Sequence, residues 1–180
     1  MAASPPEDSV NLRSYVRDIP DFPAAGILFR DITPLLLDPR ALGAAVARLT
    51  RYARELDVEI VVAAEARGFI LGGALAHGLH AGFVPARKRG KLPHETVSAQ
   101  YALEYGVDAL EMHADAFAGG ARVLIHDDLL ATGGTARALA ELVSRLGGEV
   151  VACVFLVELR ALAGRACLQG YQVHSLIQYE

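Results

Sequence analysis

The sequence has few cysteines, no long apolar run and no excess of positive charge. Its two cysteines, Cys153 and Cys167, form no metal-ligand spacing with each other, which is typical of a protein from a reducing compartment. No apolar segment approaches the ~18 residues that a membrane span requires. The formal net charge is −4, which argues against a basic, nucleic-acid-binding face. These absences predict a cytoplasmic protein with neither a membrane nor a nucleic-acid partner.

The sequence also shows no pattern typical of a secretory signal or of a boundary between domains. The first nine residues contain two prolines and two acids, without the basic start and apolar centre of a secretory signal. There is no internal repeat and no linker rich in Ser, Gly or Pro. A length of 180 residues, set against roughly 150 residues per domain, therefore predicts a single domain.

Helical and strand patterns alternate along the chain. Apolar spacing predicts helices over residues 39–56, 69–80 and 135–146, the first beginning at Asp38 and Pro39. Short apolar runs predict buried strands over residues 60–64, 123–125 and 150–157, with weaker strands over 83–86 and 171–179. The alternation of apolar and polar residues over 97–105, followed by a second strand over 109–114, predicts an antiparallel hairpin. The order predicts an α/β fold, a mainly parallel twisted sheet flanked by helices, with ligands at the carboxyl ends of strands.

The most informative segment is 123–135, where an apolar strand is followed by Asp127 and Asp128. A loop of small residues then opens a helix; it consists of Ala131, Thr132, Gly133, Gly134 and Thr135. The backbone N–H groups of this loop and the helix N-terminus suit a phosphate monoester. The two carboxylates can accept from vicinal hydroxyls or hold a metal, so the segment predicts a ribose 5-phosphate site. The alternative is an N-capped strand–helix turn with two solvated acids.

Two further segments carry positive charge. Residues 65–68 read Glu-Ala-Arg-Gly and present Arg67 directly after a predicted strand. They form either a second anion site or an ordinary surface turn. The run Arg-Lys-Arg-Gly-Lys at 87–91 is either a solvated loop or a lid whose cations meet a polyphosphate and exclude water. A phosphate-type loop elsewhere in the chain favours the lid.

Three motifs carry a resemblance to a known family. Residues 123–135 resemble the phosphoribosyl pyrophosphate motif of the type I phosphoribosyltransferases, and they match neither a Walker loop nor a dinucleotide loop. Arg-Lys-x-Gly-Lys-Leu-Pro at 87–93 and Tyr-x-Leu-Glu-Tyr-Gly at 101–106 resemble the mobile loop of adenine phosphoribosyltransferases. Residues 22–32 resemble their adenine-binding hood, with Ala25 in place of a second proline. The resemblance spans residues 22–180.

The resemblance implies an activity and an architecture. The 5-phosphoribosyl group would pass from phosphoribosyl pyrophosphate to adenine, giving AMP and pyrophosphate in a purine salvage step through an oxocarbenium-like transition state. Mg²⁺ would be held through pyrophosphate and the ribose hydroxyls, with no protein ligand directly assigned. The type I fold would comprise a tail and base-binding hood over about residues 1–35 and an α/β core with a mobile β-hairpin loop over 36–180. The family also implies a homodimer.

The resemblance assigns catalytic and base-binding roles. Glu104 is the expected general acid–base group at a purine ring nitrogen, and Tyr105 belongs to the closing loop. The backbone of Leu28 pairs with the amino edge of adenine, Phe29 stacks on the ring, and Arg30 holds the base or the loop. Without the resemblance, this stretch would be interpreted as a core Phe beside an Arg–Asp pair.

The remaining assignments concern the sugar and pyrophosphate. Asp127 and Asp128 are expected to hold the ribose hydroxyls and favour positive charge on the ring. Pyrophosphate binding is assigned to Ala66, Arg67, Arg87, Lys88 and Lys91. His126 stands where the family usually has an aliphatic residue, and the pattern predicts a tolerated strand residue rather than a catalytic one.

Three other classes of protein remain open. A 6-oxopurine phosphoribosyltransferase would share the Asp-Asp loop but lack the hood and the Tyr-x-Leu-Glu-Tyr-Gly loop. A non-enzymatic regulator could keep the sugar-phosphate site, bind nucleic acid and dispense with Glu104. A receiver-type signalling domain also places paired acids after a strand, but it has no use for the loop at 131–135.

Overall fold

The first of two compact units contains a small antiparallel pair. The computed structural model describes residues 9–103 and 106–180, and the chain divides into Met1–Arg48 and Leu49–Glu180. The first unit holds a 3₁₀ helix (Leu12–Tyr15), β1 (Arg17–Pro20), β2 (Leu28–Asp31) and α1 (Thr33–Leu37), and α2 (Pro39–Ala53) begins in it. Strands β1 and β2 are antiparallel, with Ile19 opposite Phe29.

The second unit is built on one sheet. Its elements are β3 (Ile60–Ala64), α3 (Gly68–Leu79), β4 (Gly82–Lys88), β5 (Thr96–Leu103), β6 (Gly106–His113), β7 (Arg122–Leu130), α4 (Gly134–Arg145), β8 (Glu149–Leu159) and β9 (Val173–Tyr179). Among the described residues, the strand order is β5-β6-β4-β3-β7-β8-β9. Strands β4, β3, β7, β8 and β9 run parallel, whereas β5 and β6 form an antiparallel hairpin beside β4. The mainly parallel sheet confirms the predicted fold class.

The core explains why the apolar runs become central strands. Side chains of β3, β7 and β8 pack with α4, and this buried cluster includes Val62, Ile125, Leu139 and Phe155. Strand β8 is buried over almost its whole length because both of its faces are covered. No described helix is long and apolar enough to cross a membrane.

Strand β7 extends beyond its neighbour β3 at the carboxyl end of the sheet. Strand β7 pairs with β3 only as far as His126, but it continues beside β8 to Leu130. The prediction that the strand ends before Asp127 and Asp128 is therefore wrong, because β8 extends its hydrogen bonding past both acids. Since β3 stops at Ala64, the described pairing with β3 does not reach the two acids, and their β3 side is left open while β8 runs along the other side.

Other differences from the predicted elements are local. The helix predicted over 39–56 is confirmed, although its last three residues, Arg54–Leu56, are a 3₁₀ turn. The weak strand at 83–86 extends over Gly82–Lys88 and includes two residues of the basic run. The short elements β1, β2 and α1 were not predicted, and neither were the 3₁₀ segments Arg160–Leu162 and Gly164–Leu168.

Candidate active site

A cavity of about 270 Å³ lies where β3 and β7 end and α4 begins. Its lining comprises residues 127–136 together with Glu65, Ala66, Arg67, Tyr101 and Leu110. The structure thus brings the two acids, the small-residue loop and the Glu-Ala-Arg turn around one space. Residues 65–67 thus line the same space as the acids and the loop, and their role as an anion site stays a prediction.

The small-residue loop, residues 131–135, approaches the cavity through its backbone. Gly133 has φ +85°, and a Cβ at this position would overlap the carbonyl oxygen of Gly164, so the loop requires glycine here. Within the described chain, no side chain caps the N-terminus of α4. The first N–H groups of α4 therefore remain available to an anion, which supports the predicted phosphate site.

Asp127 and Asp128 form a coupled pair on the cavity floor. The Asp128 N–H donates to Oδ1 of Asp127 at 2.9 Å, and Arg67 Nε lies 3.1 Å from Oδ2 of Asp128. Desolvation, and then the charge of Asp128, raise the pKa of Asp127 well above its usual value. Desolvation also raises the pKa of Asp128, opposed by the charge of Arg67. The site thus holds two carboxylates whose ionisation is costly until a hydrogen-bonding ligand arrives.

The raised pKa of Asp127 predicts a gain in stability on its removal. Its folded-state pKa lies above the unfolded value of 3.8, so ionisation costs folding free energy once the pH exceeds that value. We expect Asp127→Asn to raise Tm at pH 7.5 by about 2–4 °C for each kcal/mol relieved. The gain should shrink towards zero as the pH falls to about 4, where the aspartate is also protonated.

Calorimetric unfolding scans at several pH values would measure this difference. Asp115→Asn is the control, because the Asp115 side chain is 72% exposed and its Tm should not change with pH in this way. A Tm for Asp127→Asn at or below that of the unmodified chain across the range would contradict the prediction.

Most cations assigned to pyrophosphate are paired with carboxylates. Arg87 Nε lies 2.6 Å from Oε2 of Glu65, and Arg87 Nη1 donates to the carbonyl oxygen of Lys91 at 3.0 Å. Lys88 Nζ lies 3.2 Å from Oδ2 of Asp108. Of the assigned pyrophosphate residues, Ala66 and Arg67 line the cavity, whereas the described lining does not include Arg87, Lys88 or Lys91.

Sequence reasoning missed Tyr101 and Asp108 on the hairpin. The Tyr101 hydroxyl donates to Oδ2 of Asp108 at 3.2 Å, and Tyr101 lines the cavity. Burial and the nearby Asp108 charge raise the pKa of Tyr101 to about 12, so its hydroxyl keeps its proton at neutral pH. The available signal was the period-two pattern, which puts Tyr101 on the inward face of a half-exposed strand. Glu104 and Tyr105 lie outside the described residues.

The residues of the predicted hood lie together in the first unit. Leu28 is opposite Pro20 on the β1–β2 pair and 43% exposed. The rings of Phe22 and Phe29 meet edge to face at 5.0 Å, and Arg30 forms an ion pair with Asp18. The exposed residues leave β2 able to receive a flat ligand, and the roles assigned to Leu28, Phe29 and Arg30 stay predictions.

His126 is fully buried under α3, and it is not among the described residues that line the cavity. Its Nδ1 lies 3.0 Å from the carbonyl oxygen of Val154, a contact that requires the proton on Nδ1. Burial lowers its pKa to about 4, so the imidazole is neutral at physiological pH. The contact links β7 to β8 and agrees with the interpretation of His126 as a strand residue.

The fold and this cavity define a class of protein. The family model described as the phosphoribosyl transferase domain matches residues 36–169, and the chain belongs to the phosphoribosyltransferase family. Within it the chain groups with the adenine phosphoribosyltransferases. That of Thermotoga neapolitana is 56% identical over 170 residues, 94% of this chain and the whole of that protein. That of Rubrobacter xylanophilus is also 56% identical, over 93% of this chain and 91% of that protein.

Solved structures agree with this grouping. The adenine phosphoribosyltransferase of Thermoanaerobacter pseudethanolicus matches with a TM-score of 0.91 and 50% identity, over 93% of this chain and 98% of that one. The enzyme of Saccharomyces cerevisiae, crystallised with an imino-altritol bisphosphate and adenine, matches with a TM-score of 0.86 and 37% identity. That match covers 90% of this chain and 94% of the yeast chain. The predicted family and fold are confirmed.

Proposed function

We propose that this chain transfers the 5-phosphoribosyl group of phosphoribosyl pyrophosphate to adenine, giving AMP and pyrophosphate. The observation that carries the proposal is the single cavity that joins the loop at 131–135, the acids Asp127 and Asp128, and Arg67. The loop suits the 5′-phosphate, and the acids suit the ribose hydroxyls. Arg67, which lines the same cavity beside Asp128, is proposed to contact the pyrophosphate.

The residues around this cavity can stabilise a dissociative displacement. The negative charge of Asp127 and Asp128 favours positive charge on the ribose ring as the pyrophosphate departs. A guanidinium has five N–H donors, so Arg67 can hold Asp128 and still contact the leaving group. Glu104 is proposed to exchange the proton of a purine ring nitrogen, and Tyr105 to belong to the closing loop. Arg87, Lys88 and Lys91 are proposed to approach pyrophosphate when that loop closes.

Adenine recognition is proposed to lie in the first unit, through Leu28, Phe29 and Arg30. Leu28 is exposed on a strand of a two-stranded pair, and the outer edge of such a strand suits backbone hydrogen bonds to the amino edge of a purine. Phe29 supplies an aromatic ring of the kind that stacks on a base.

Magnesium is proposed to act with the substrate. The described residues contain no group of three or more His, Cys, Asp or Glu side chains placed to hold a metal ion. The oxygens of pyrophosphate and of the ribose hydroxyls are the hard donors that Mg²⁺ prefers, and Mg²⁺ commonly keeps several waters. When bound, the ion would neutralise charge on the leaving pyrophosphate.

A homodimer in the cytoplasm is proposed from two features. Helix α3 is apolar on nearly every side, yet Ile70 is 48% exposed and the adjacent Phe83 37% exposed, which suits a second copy of the chain. Sedimentation equilibrium would give twice the chain mass; a monomer at micromolar concentration would contradict it. Both cysteines are free thiols, as is usual in a reducing compartment.

The function is tested by pyrophosphate release with Mg²⁺ and phosphoribosyl pyrophosphate, offering adenine, hypoxanthine and guanine in parallel. Release with adenine alone is the expected result. Release with a 6-oxopurine instead would keep the reaction class and overturn the base assignment. Binding of phosphoribosyl pyrophosphate without release for any base would favour the regulator.

A further inference from the structure

The 3₁₀ segment Gly164–Leu168 lies directly against the back of the loop at 131–135. A Cβ placed on Gly164 would overlap the carbonyl oxygen of Ala131 and come within 2.9 Å of the Leu130 side chain. A Cβ on Gly133 would in turn overlap the carbonyl oxygen of Gly164 and lie 3.0 Å from Cβ of Cys167. The two backbones therefore touch, and this approach requires glycine on both sides.

The segment contacts two consecutive carbonyl groups of the loop. One Cα hydrogen of Gly164 points at the oxygen of Ala131, and the Cys167 thiol donates to the oxygen of Thr132 at 3.2 Å. In a trans peptide the N–H points opposite to the preceding carbonyl. Since the segment holds the carbonyls of Ala131 and Thr132 towards itself, the N–H groups of Thr132 and Gly133, which belong to the same two peptides, point away from the segment. Both residues line the cavity.

The segment is itself fixed to the sheet. Arg165 makes a two-pronged ion pair with Glu158 on β8, with N–O distances of 2.6 and 2.7 Å, and it donates to the carbonyl oxygen of Val173 at 3.0 Å. Glu158 is 3% exposed and Leu168 is 1% exposed, so the carboxylate that Arg165 holds and the last residue of the segment are buried, whereas the Arg165 side chain is 44% exposed. A two-pronged ion pair fixes the relative orientation of the two side chains as well as their separation. The segment can therefore act as a rigid support.

We propose that Gly164 and Cys167 are positioning residues that aim the N–H groups of the loop at the 5′-phosphate of the substrate. The proposal rests on the proposed function for the identity of that phosphate. Neither residue contacts substrate in this scheme; each acts through a carbonyl of the loop. We expect misaimed N–H groups to weaken substrate binding more than they slow the chemical step, because the 5′-phosphate is held alike in the ground state and the transition state.

Steady-state kinetics at saturating adenine test the proposal. We expect Gly164→Ala to raise KM for phosphoribosyl pyrophosphate by roughly tenfold or more while kcat stays within about twofold. Cys167→Ala should raise the same KM by about threefold, and Cys167→Ser should restore it because a hydroxyl also donates to the Thr132 oxygen. KM for adenine should not change. Gly119→Ala is the control, since a Cβ there has open space and an ordinary φ.

Two results would overturn the proposal. One is a folded Gly164→Ala variant with unchanged KM for phosphoribosyl pyrophosphate; the other is equal KM values for the alanine and serine variants at Cys167. Calorimetry with ribose 5-phosphate, which needs neither adenine nor turnover, separates this proposal from the proposed function. If the unmodified chain binds ribose 5-phosphate but releases no pyrophosphate, the proposed function is wrong. The affinity of the same variants for ribose 5-phosphate still tests whether Gly164 and Cys167 position the loop. If Gly164→Ala does not fold, the Cys167 pair gives the answer alone.

Discussion

Replacing Gly133 with valine should abolish binding of the sugar phosphate. The residue has φ +85°, and any Cβ would meet the carbonyl oxygen of Gly164, so the loop must move away from its present path. Loss of two N–H contacts to a phosphate, at roughly 1.5–3 kcal/mol each, corresponds to about 10²–10⁴-fold in affinity. Calorimetry with AMP would measure this loss.

Gly170→Val is the control that distinguishes the effect of a steric clash from the effect of backbone strain at a positive φ. Gly170 has a similar φ of +92°, but a Cβ added there would have nothing within 4 Å, so the variant should lose some stability and keep its affinity for AMP. Circular dichroism checks that each variant folds, and Gly133→Ala replaces the valine if it does not. Unchanged AMP affinity in a folded Gly133 variant would mean that the loop at 131–135 does not hold the phosphate.

Replacing Glu104 with glutamine should lower turnover by about 10²–10⁴-fold, the usual effect of removing a general acid–base group. The side chain keeps its size but can no longer exchange a proton with a purine ring nitrogen. KM for phosphoribosyl pyrophosphate should change little, since the 5′-phosphate and ribose contacts are assigned to other residues. Single-turnover measurements with adenine would isolate the chemical step.

The control for Glu104 is Glu95→Gln. Glu95 is exposed immediately before β5, so the same change of charge there should leave turnover unchanged. The pH dependence of kcat gives a second readout, because the limb that Glu104 controls should disappear in its variant and persist in the control. Near-normal turnover of Glu104→Gln would remove this residue from the catalytic role.

The sequence allowed the central elements to be predicted because their patterns are local. Helix α4 and strands β3 and β8 follow from apolar periodicity and from continuous buried runs, which need no knowledge of distant residues. The end of β7 could not be found in this way, since Asp127 and Asp128 remain in the strand only because β8 continues beside them. Pairing with a strand some thirty residues away overrides the local polarity.

In the candidate site too, features made of contiguous residues were predictable and features that join distant residues were not. The loop at 131–135 and its neighbouring acids were recognisable because they are contiguous. The ion pair between Lys88 and Asp108 and the contact of Cys167 with Thr132 each join residues distant in sequence. No spacing rule connects them, so they required the fold.

The ion pairs around the cavity have a consequence for which anions can enter. Arg67, Arg87 and Lys88 each already lie beside a carboxylate of the chain, so the resting site supplies its own counter-ions. A lone inorganic phosphate would have to compete with an internal carboxylate for each of these cations. A ligand that meets the loop, the floor and several cations together has no such disadvantage. At these cations, though not at the loop at 131–135, inorganic phosphate is therefore at a disadvantage against the larger substrate.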